Sequence, residues 1–140
     1  MNGLNLKKDY ALTETETAGK WFPVPDRATG QPLPGVRIRV ASALNEDYTR
    51  DLNKRLGDLA PRQVRRGKIK MNMEANREAS IQAAARHLLL DWEGIVGDDG
   101  QPVPCTLENR LEALRLGPFF DHVADCAEST QEFLEAEEKN

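Results

Sequence analysis

The stretch from Leu88 to Val123, LLLDWEGIVGDDGQPVPCTLENRLEALRLGPFFDHV, changes structural rule every few residues. An apolar helical stripe runs out near Trp92, an Asp-Gly turn follows at Asp98-Asp99-Gly100, a Pro-rich strand comes next, and two helix starts close the run. A primed turn needs positive φ, which glycine supplies without strain, so Ile95 and Val96 are expected to pair with Pro102 to Pro104. Such a segment is a connector that folds helical blocks onto each other around a short hairpin. Its side chains suit packing rather than bond breaking.

On either side the periodicities fill in the rest. Residues 1–17 are polar and Thr/Glu-alternating, and they read as a flexible arm with Leu4, Leu6, Tyr10 and Leu12 as its only anchors. Trp21-Phe22-Pro23-Val24 and the strictly alternating Val36-Arg37-Ile38-Arg39-Val40 predict an antiparallel β-hairpin with a long loop and one wet face. Ser42 or Asn45, followed by Glu46 and Asp47, starts a helix with the stripe Leu44, Tyr48, Leu52 and Leu56. A longer helix is expected from about Glu74 to Trp92 on Ile81, Ala84, Ala85, Leu88, Leu89 and Trp92. Thr106 caps a third helix carrying Leu107, Leu111 and Leu114. Gly117-Pro118 ends that helix and opens a fourth, with Phe119, Val123, Cys126, Thr130 and Phe133 or Leu134 on one face. The expectation is an α+β fold, mainly helical: about four helices, an N-terminal hairpin and a second short hairpin near 95–104. Residues 18–138 form one globular domain, a size at which a real core can be buried without staples.

Composition narrows the functional classes. The chain is 39% hydrophobic and 30% charged, and it holds no apolar run near the ~20 residues of a membrane span. The N-terminus lacks the apolar run and small-residue cleavage site of a secretory signal, so the cytoplasm is the expected location. A net charge of −4 argues against a polyanion as main partner. The one basic run, Arg62, Arg65, Arg66, Lys68 and Lys70, has no interleaved aromatic for base stacking and reads as a solvated loop.

Few residues could carry chemistry. His87, Cys105, His122 and Cys126 are four soft ligands, but only His122 and Cys126 are locally paired, so zinc is not expected. Cys126 with His122 and Asp125 offers the residue types of a thiol nucleophile, yet Cys126 falls on the apolar stripe of its helix, where a neutral thiol packs as a small hydrophobe. Asp98-Asp99 are turn formers, and neither GxxxxGK[ST] nor GxGxxG occurs. No enzyme activity and no cofactor is expected.

The run Trp92-Glu93-Gly94-Ile95 through Gly100-Gln101-Pro102-Val103-Pro104, then Thr106, Glu108-Asn109 and Leu114, then Pro118 and an acidic-apolar helix ending at Phe133, resembles the tail assembly chaperones of long-tailed (siphovirus-type) bacteriophages. The likeness covers about residues 18–135 and departs from the family pattern at Cys105, where Phe, Tyr or Ile is more usual. It implies a factor absent from the finished particle, which coats the tape measure protein and helps tail-tube protein polymerise around it in the host cell cytoplasm. It also implies a longer, frameshifted product from near Glu138-Lys139-Asn140. Such a role needs exposed apolar strips rimmed by charge, and Leu4, Leu6 and Leu12 of the arm with Phe133 and Leu134 of the last helix are the candidates. A head-tail connector or tail terminator, or a nucleic-acid-binding regulator on the Arg62–Lys70 run, are the alternatives.

Overall fold

A computed structural model describes residues 3–64 and 73–138. In chain order the elements are α1 (Leu6–Asp9), α2 (Glu14–Ala18), β1 (Lys20–Pro25), β2 (Pro32–Val40), α3 (Glu46–Val64), α4 (Met73–His87), β3 (Leu89–Glu93), α5 (Leu107–Leu114), α6 (Gly117–Ala127) and α7 (Thr130–Glu138). The three strands form one antiparallel sheet in the order β1-β2-β3. The α+β class stands, while among the described residues the expected four helices become seven and the sheet gains a third strand.

Each difference has a local cause. The helix expected to reach Trp92 ends at His87. Leu88 makes the last helical bond, to the Ala84 carbonyl, and its own carbonyl turns to accept from Ala41 N–H at 2.9 Å. The next residues then meet the free edge of β2, where Trp92 pairs with Ile38 and Glu93 with Arg37. An apolar run this short satisfies a helical stripe and a strand equally well, and the unpaired edge decides between them. The fourth helix breaks at Glu128-Ser129, where Ser129 Oγ turns back to donate to the Asp125 carbonyl at 2.6 Å. Upstream, the N-terminal arm carries two capped turns. Asn5 Oδ1 accepts from Lys8 N–H, and Thr13 with Glu16 forms a capping box for α2.

The second hairpin is present only in outline. Val96 and Pro102 form an isolated bridge, with Val103 N–H donating to Ile95 and Gly97 N–H to Gln101. Pro102 and Pro104 have no N–H to extend the ladder, so no strand pair follows. The first hairpin has a shorter loop than expected, because β2 already begins at Pro32 and Asp26 Oδ1 closes the turn by accepting from Ala28 and Thr29 N–H. Gly94, at φ 82°, lets β3 leave the sheet against the Gly35 carbonyl, where a Cβ would collide.

The core lies between the inner face of the sheet and the helices. Phe22, Ile38 and Trp92 form one row across the three strands, with Val40 and Leu89 beside them. Ile81, Ala84, Ala85 and Leu88 of α4, Leu114 of α5, Val123, Cys126 and Ala127 of α6 and Phe133 of α7 close over it. Leu111 and Phe119 pack at its margin. Trp92 Nε1 donates to the Val103 carbonyl at 2.7 Å, which ties the second hairpin to the sheet. Asn45, the N-cap of α3, accepts from Tyr48 N–H through Oδ1 while Nδ2 donates to the Ser42 and His87 carbonyls, pinning the start of α3 to the end of α4.

Candidate interaction surface

The five apolar residues picked out as partner-binding divide sharply. Leu4 and Leu6 are 63% and 66% exposed, and Tyr10 beside them is 75% exposed. Not one residue of α1 is buried. Leu12 is half-buried at the approach to α2. On α7 the neighbours Phe133 and Leu134 part company: Leu134 is exposed, whereas Phe133 is fully buried against Phe22. The break at Ser129 decides which of the two faces inward, and Phe133 is therefore part of the core. Leu4, Leu6, Tyr10 and Leu134 are therefore exposed and Leu12 half-buried, while Leu44, Val96 and Leu116 are exposed elsewhere on the fold.

Helix α2 packs against α7, which brings the second turn of the arm to the last helix. Asp125, Glu128, Glu132 and Glu135 are all exposed, and none has an ion pair among the described residues. Lys7 and Lys8 on α1 are exposed and likewise have no ion pair there.

The titratable candidates are scattered into separate structural roles. His122 Nε2 lies 3.0 Å from the Pro23 carbonyl, which can only accept, so this nitrogen carries the proton. Cys126 Sγ sits 3.7 Å from the same nitrogen, which then has no lone pair to take a thiol proton. Burial, with Glu132 and Asp125 adding to it, pushes the Cys126 thiol up to about 12. It is a neutral core thiol. His122 instead covers a carbonyl of the edge strand β1, whose Pro23 and Pro25 offer no N–H to a passing strand.

Cys105 is half-buried, with Arg110 Nη1 3.8 Å from its sulfur and donating to its carbonyl at 2.7 Å. Burial raises that thiol as well, and Arg110 offsets part of the rise. His87 Nε2 is 3.0 Å from Asp51 Oδ2, and Arg55 Nε donates to Asp51 Oδ1 at 2.9 Å, which ties α3 to α4. Burial alone would raise the Asp51 carboxyl, but the hydrogen bonds from Arg55 and His87 outweigh it and hold the group below the ordinary carboxylate range. Among the described residues no three His, Cys, Asp or Glu side chains converge as a metal site. Asp99 Oδ1 accepts from Gln101 N–H within its turn.

Arg65, Arg66, Lys68 and Lys70 lie outside the described residues, as do Lys139 and Asn140, and Arg62 is placed only by its backbone in α3. Among the described residues no helix is long and apolar enough to cross a membrane.

With this geometry in place, comparison with known proteins gives one decisive match. Residues 43–140 match the family described as YdaY prophage protein. The chain belongs to the YdaY prophage protein family. A phage origin is thereby shown, while the match itself says nothing of tail assembly. The segment shared with the YdaY family includes β3 but begins after β2, the strand on which β3 depends for its ladder. No curated relative and no solved structure matches the chain.

Proposed function

We propose that this YdaY-family protein is a non-enzymatic phage assembly factor, acting as a tail assembly chaperone that holds the tape measure protein and assists tail-tube assembly. The observation that carries the reading is α1, a capped turn on which no residue is buried and around which Leu4, Leu6 and Tyr10 are all exposed. Large apolar side chains left in water on a short preformed turn suit a transient hold on an extended client better than a closed pocket does. The likeness of the Trp92–Phe133 pattern to tail assembly chaperones supports the same reading, and the prophage family supplies the biological setting. The neutral Cys126 thiol and the committed Nε2 of His122 favour a binding role over nucleophilic catalysis.

The test is retention of the client together with the composition of the particle. A tagged copy should retain tape measure or tail-tube protein of the same phage from an infected or induced host, and mass spectrometry of purified virions should not find the protein. Stoichiometric presence in virions would replace this reading with a head-tail connector or tail terminator.

A further inference from the structure

Helix α4 carries two apolar layers on opposite sides. At about 100° per residue, Ile81, Ala84, Ala85 and Leu88 share one side, and all four belong to the main core. Ala79 and Ala83 are also buried, at 7% and 0% exposure, but they lie on the other side and outside that core. Helix α3 lies over them. Asn45 Nδ2 donates to the His87 carbonyl and Asp51 Oδ2 meets His87 Nε2, so α3 starts at the end of α4 and runs back along it. Residues beyond Asp51 therefore follow the earlier turns of α4, where Ala79 and Ala83 stand. Leu52, Leu56 and Leu59 are each half-buried, and none of them packs on the main core.

We propose that α3 is a strap which, from Asp51 onward, lifts off the back of α4 as one unit while the sheet and the core helices stay folded, with the Asp51–His87 contact as its latch. Its first turn stays fixed, because Asn45 is buried and Tyr48 packs on the margin of the main core. From Asp51 to Leu59 no side chain is fully buried, and local opening costs least where few apolar contacts are buried. Helix α4 is secured without α3. Arg110 Nε donates to the Ala85 carbonyl at 2.8 Å, Arg115 Nη2 lies 2.7 Å from Glu78 Oε1, and the chain passes directly into β3. A Cβ at Gly57 would meet open space, so no close approach calls for glycine in the middle of α3, and its backbone freedom weakens the helix. Opening brings Leu52, Leu56 and Leu59 into water together with Ala79 and Ala83, an apolar strip that the closed form hides. The inference goes beyond the chaperone reading and stands without it.

Native-state hydrogen exchange of the whole chain tests it, since a helix this short does not keep its hydrogen bonds in water once it leaves α4. Amides from Leu52 to Leu59 should exchange as one group, at least about tenfold faster than those of Ile38, Val40 and Ile81 to Leu88. Asp51→Ala should speed the α3 group several-fold, and Gly57→Ala should slow it. Ile38→Val, a cut in the main core, should speed exchange of the core amides and leave α3 unchanged, because the open and closed forms both keep that core. A second readout is thiol alkylation at two adjacent positions on opposite sides of α4. Iodoacetamide should label Ala83→Cys several-fold faster than Ala84→Cys, and Asp51→Ala should quicken the former. An α3 group that exchanges only at the core rate, an α3 rate that follows Ile38→Val, or equal labelling of Ala83→Cys and Ala84→Cys would each overturn the proposal.

Discussion

Phe133 near the end of the chain meets Phe22 on β1 edge to face, with ring centroids 5.5 Å apart and planes inclined at 73°. Lys20 Nζ lies 4.4 Å from the Phe22 ring centroid, so this contact joins the edge strand, the last helix and a cation. The C-terminal helix is thus bound into the core, and Leu134, the next residue, is left exposed.

Phe133→Ala should accordingly cost about 3–5 kcal/mol, the usual range for truncating a fully buried phenylalanine. Leu134→Ser should change stability by no more than about 0.5 kcal/mol. Urea denaturation of the two variants beside the wild type checks both. A destabilised Leu134→Ser with an unaffected Phe133→Ala would reverse the assignment of the two side chains.

Trp92→Phe keeps most of the apolar volume beside Ile38 but leaves the Val103 carbonyl without its indole donor. A loss of about 1–3 kcal/mol is expected for that unsatisfied acceptor, less than the 3–5 kcal/mol or so expected for Trp92→Ala. Equal losses in the two variants would mean that the hydrogen bond contributes little.

Much of this was legible beforehand, and the exceptions share a cause. The alternation Val36-Ile38-Val40 and the Thr106 cap are local signals that mark β2 and the start of α5, whereas Gly117 already lies in α6 with Arg115 capping α5, and the Asp-Gly turn closes only the Val96–Pro102 bridge. The strand at Leu89–Glu93 was hidden because its residues also extend the stripe of α4, and only the free edge of β2 separates the two outcomes. Thr13-Glu14-Thr15-Glu16 carried a readable capping box inside a stretch whose composition suggested an arm. Phe133 and Leu134 are adjacent on one helix, and which of them is buried depends on a break at Ser129 that periodicity does not mark.

Asp51 gives the fold a pH dependence of definite sign. The folded protein holds its carboxyl below the unfolded value of about 3.9, through Arg55 and His87 acting against burial. Its contribution to stability is fully present above that value and is lost as the pH falls through the folded one. The urea midpoint should therefore drop more steeply below about pH 4 in the wild type than in Asp51→Asn. Glu78, held low first by its hydrogen bond from Arg115, shares this window, so some slope should persist in the variant. Identical slopes would exclude a role for the Asp51 cluster.

Cys126 should be a poor nucleophile in the folded protein. Its thiol is pushed up to about 12, so alkylation by iodoacetamide at neutral pH should be far slower in the native chain than in urea, where an ordinary thiol titrates near 8.5. His122→Ala should leave that native rate slow. Native labelling faster than labelling in urea, abolished in His122→Ala, would show an activated thiol and reopen the question of catalysis.

The central claim is that exposed apolar side chains of the N-terminal turn and the last helix hold a phage assembly client. The most direct measurement is the fraction of the cognate tape measure protein that stays soluble on co-expression with the wild type, with a Leu4→Ser/Leu6→Ser/Leu134→Ser variant, and with an empty vector. The account predicts a soluble complex with the wild type and a return to the empty-vector level with the variant, which should itself remain folded because all three leucines are exposed. A tape measure protein equally insoluble with and without the wild type, or equally soluble with the variant, would contradict it.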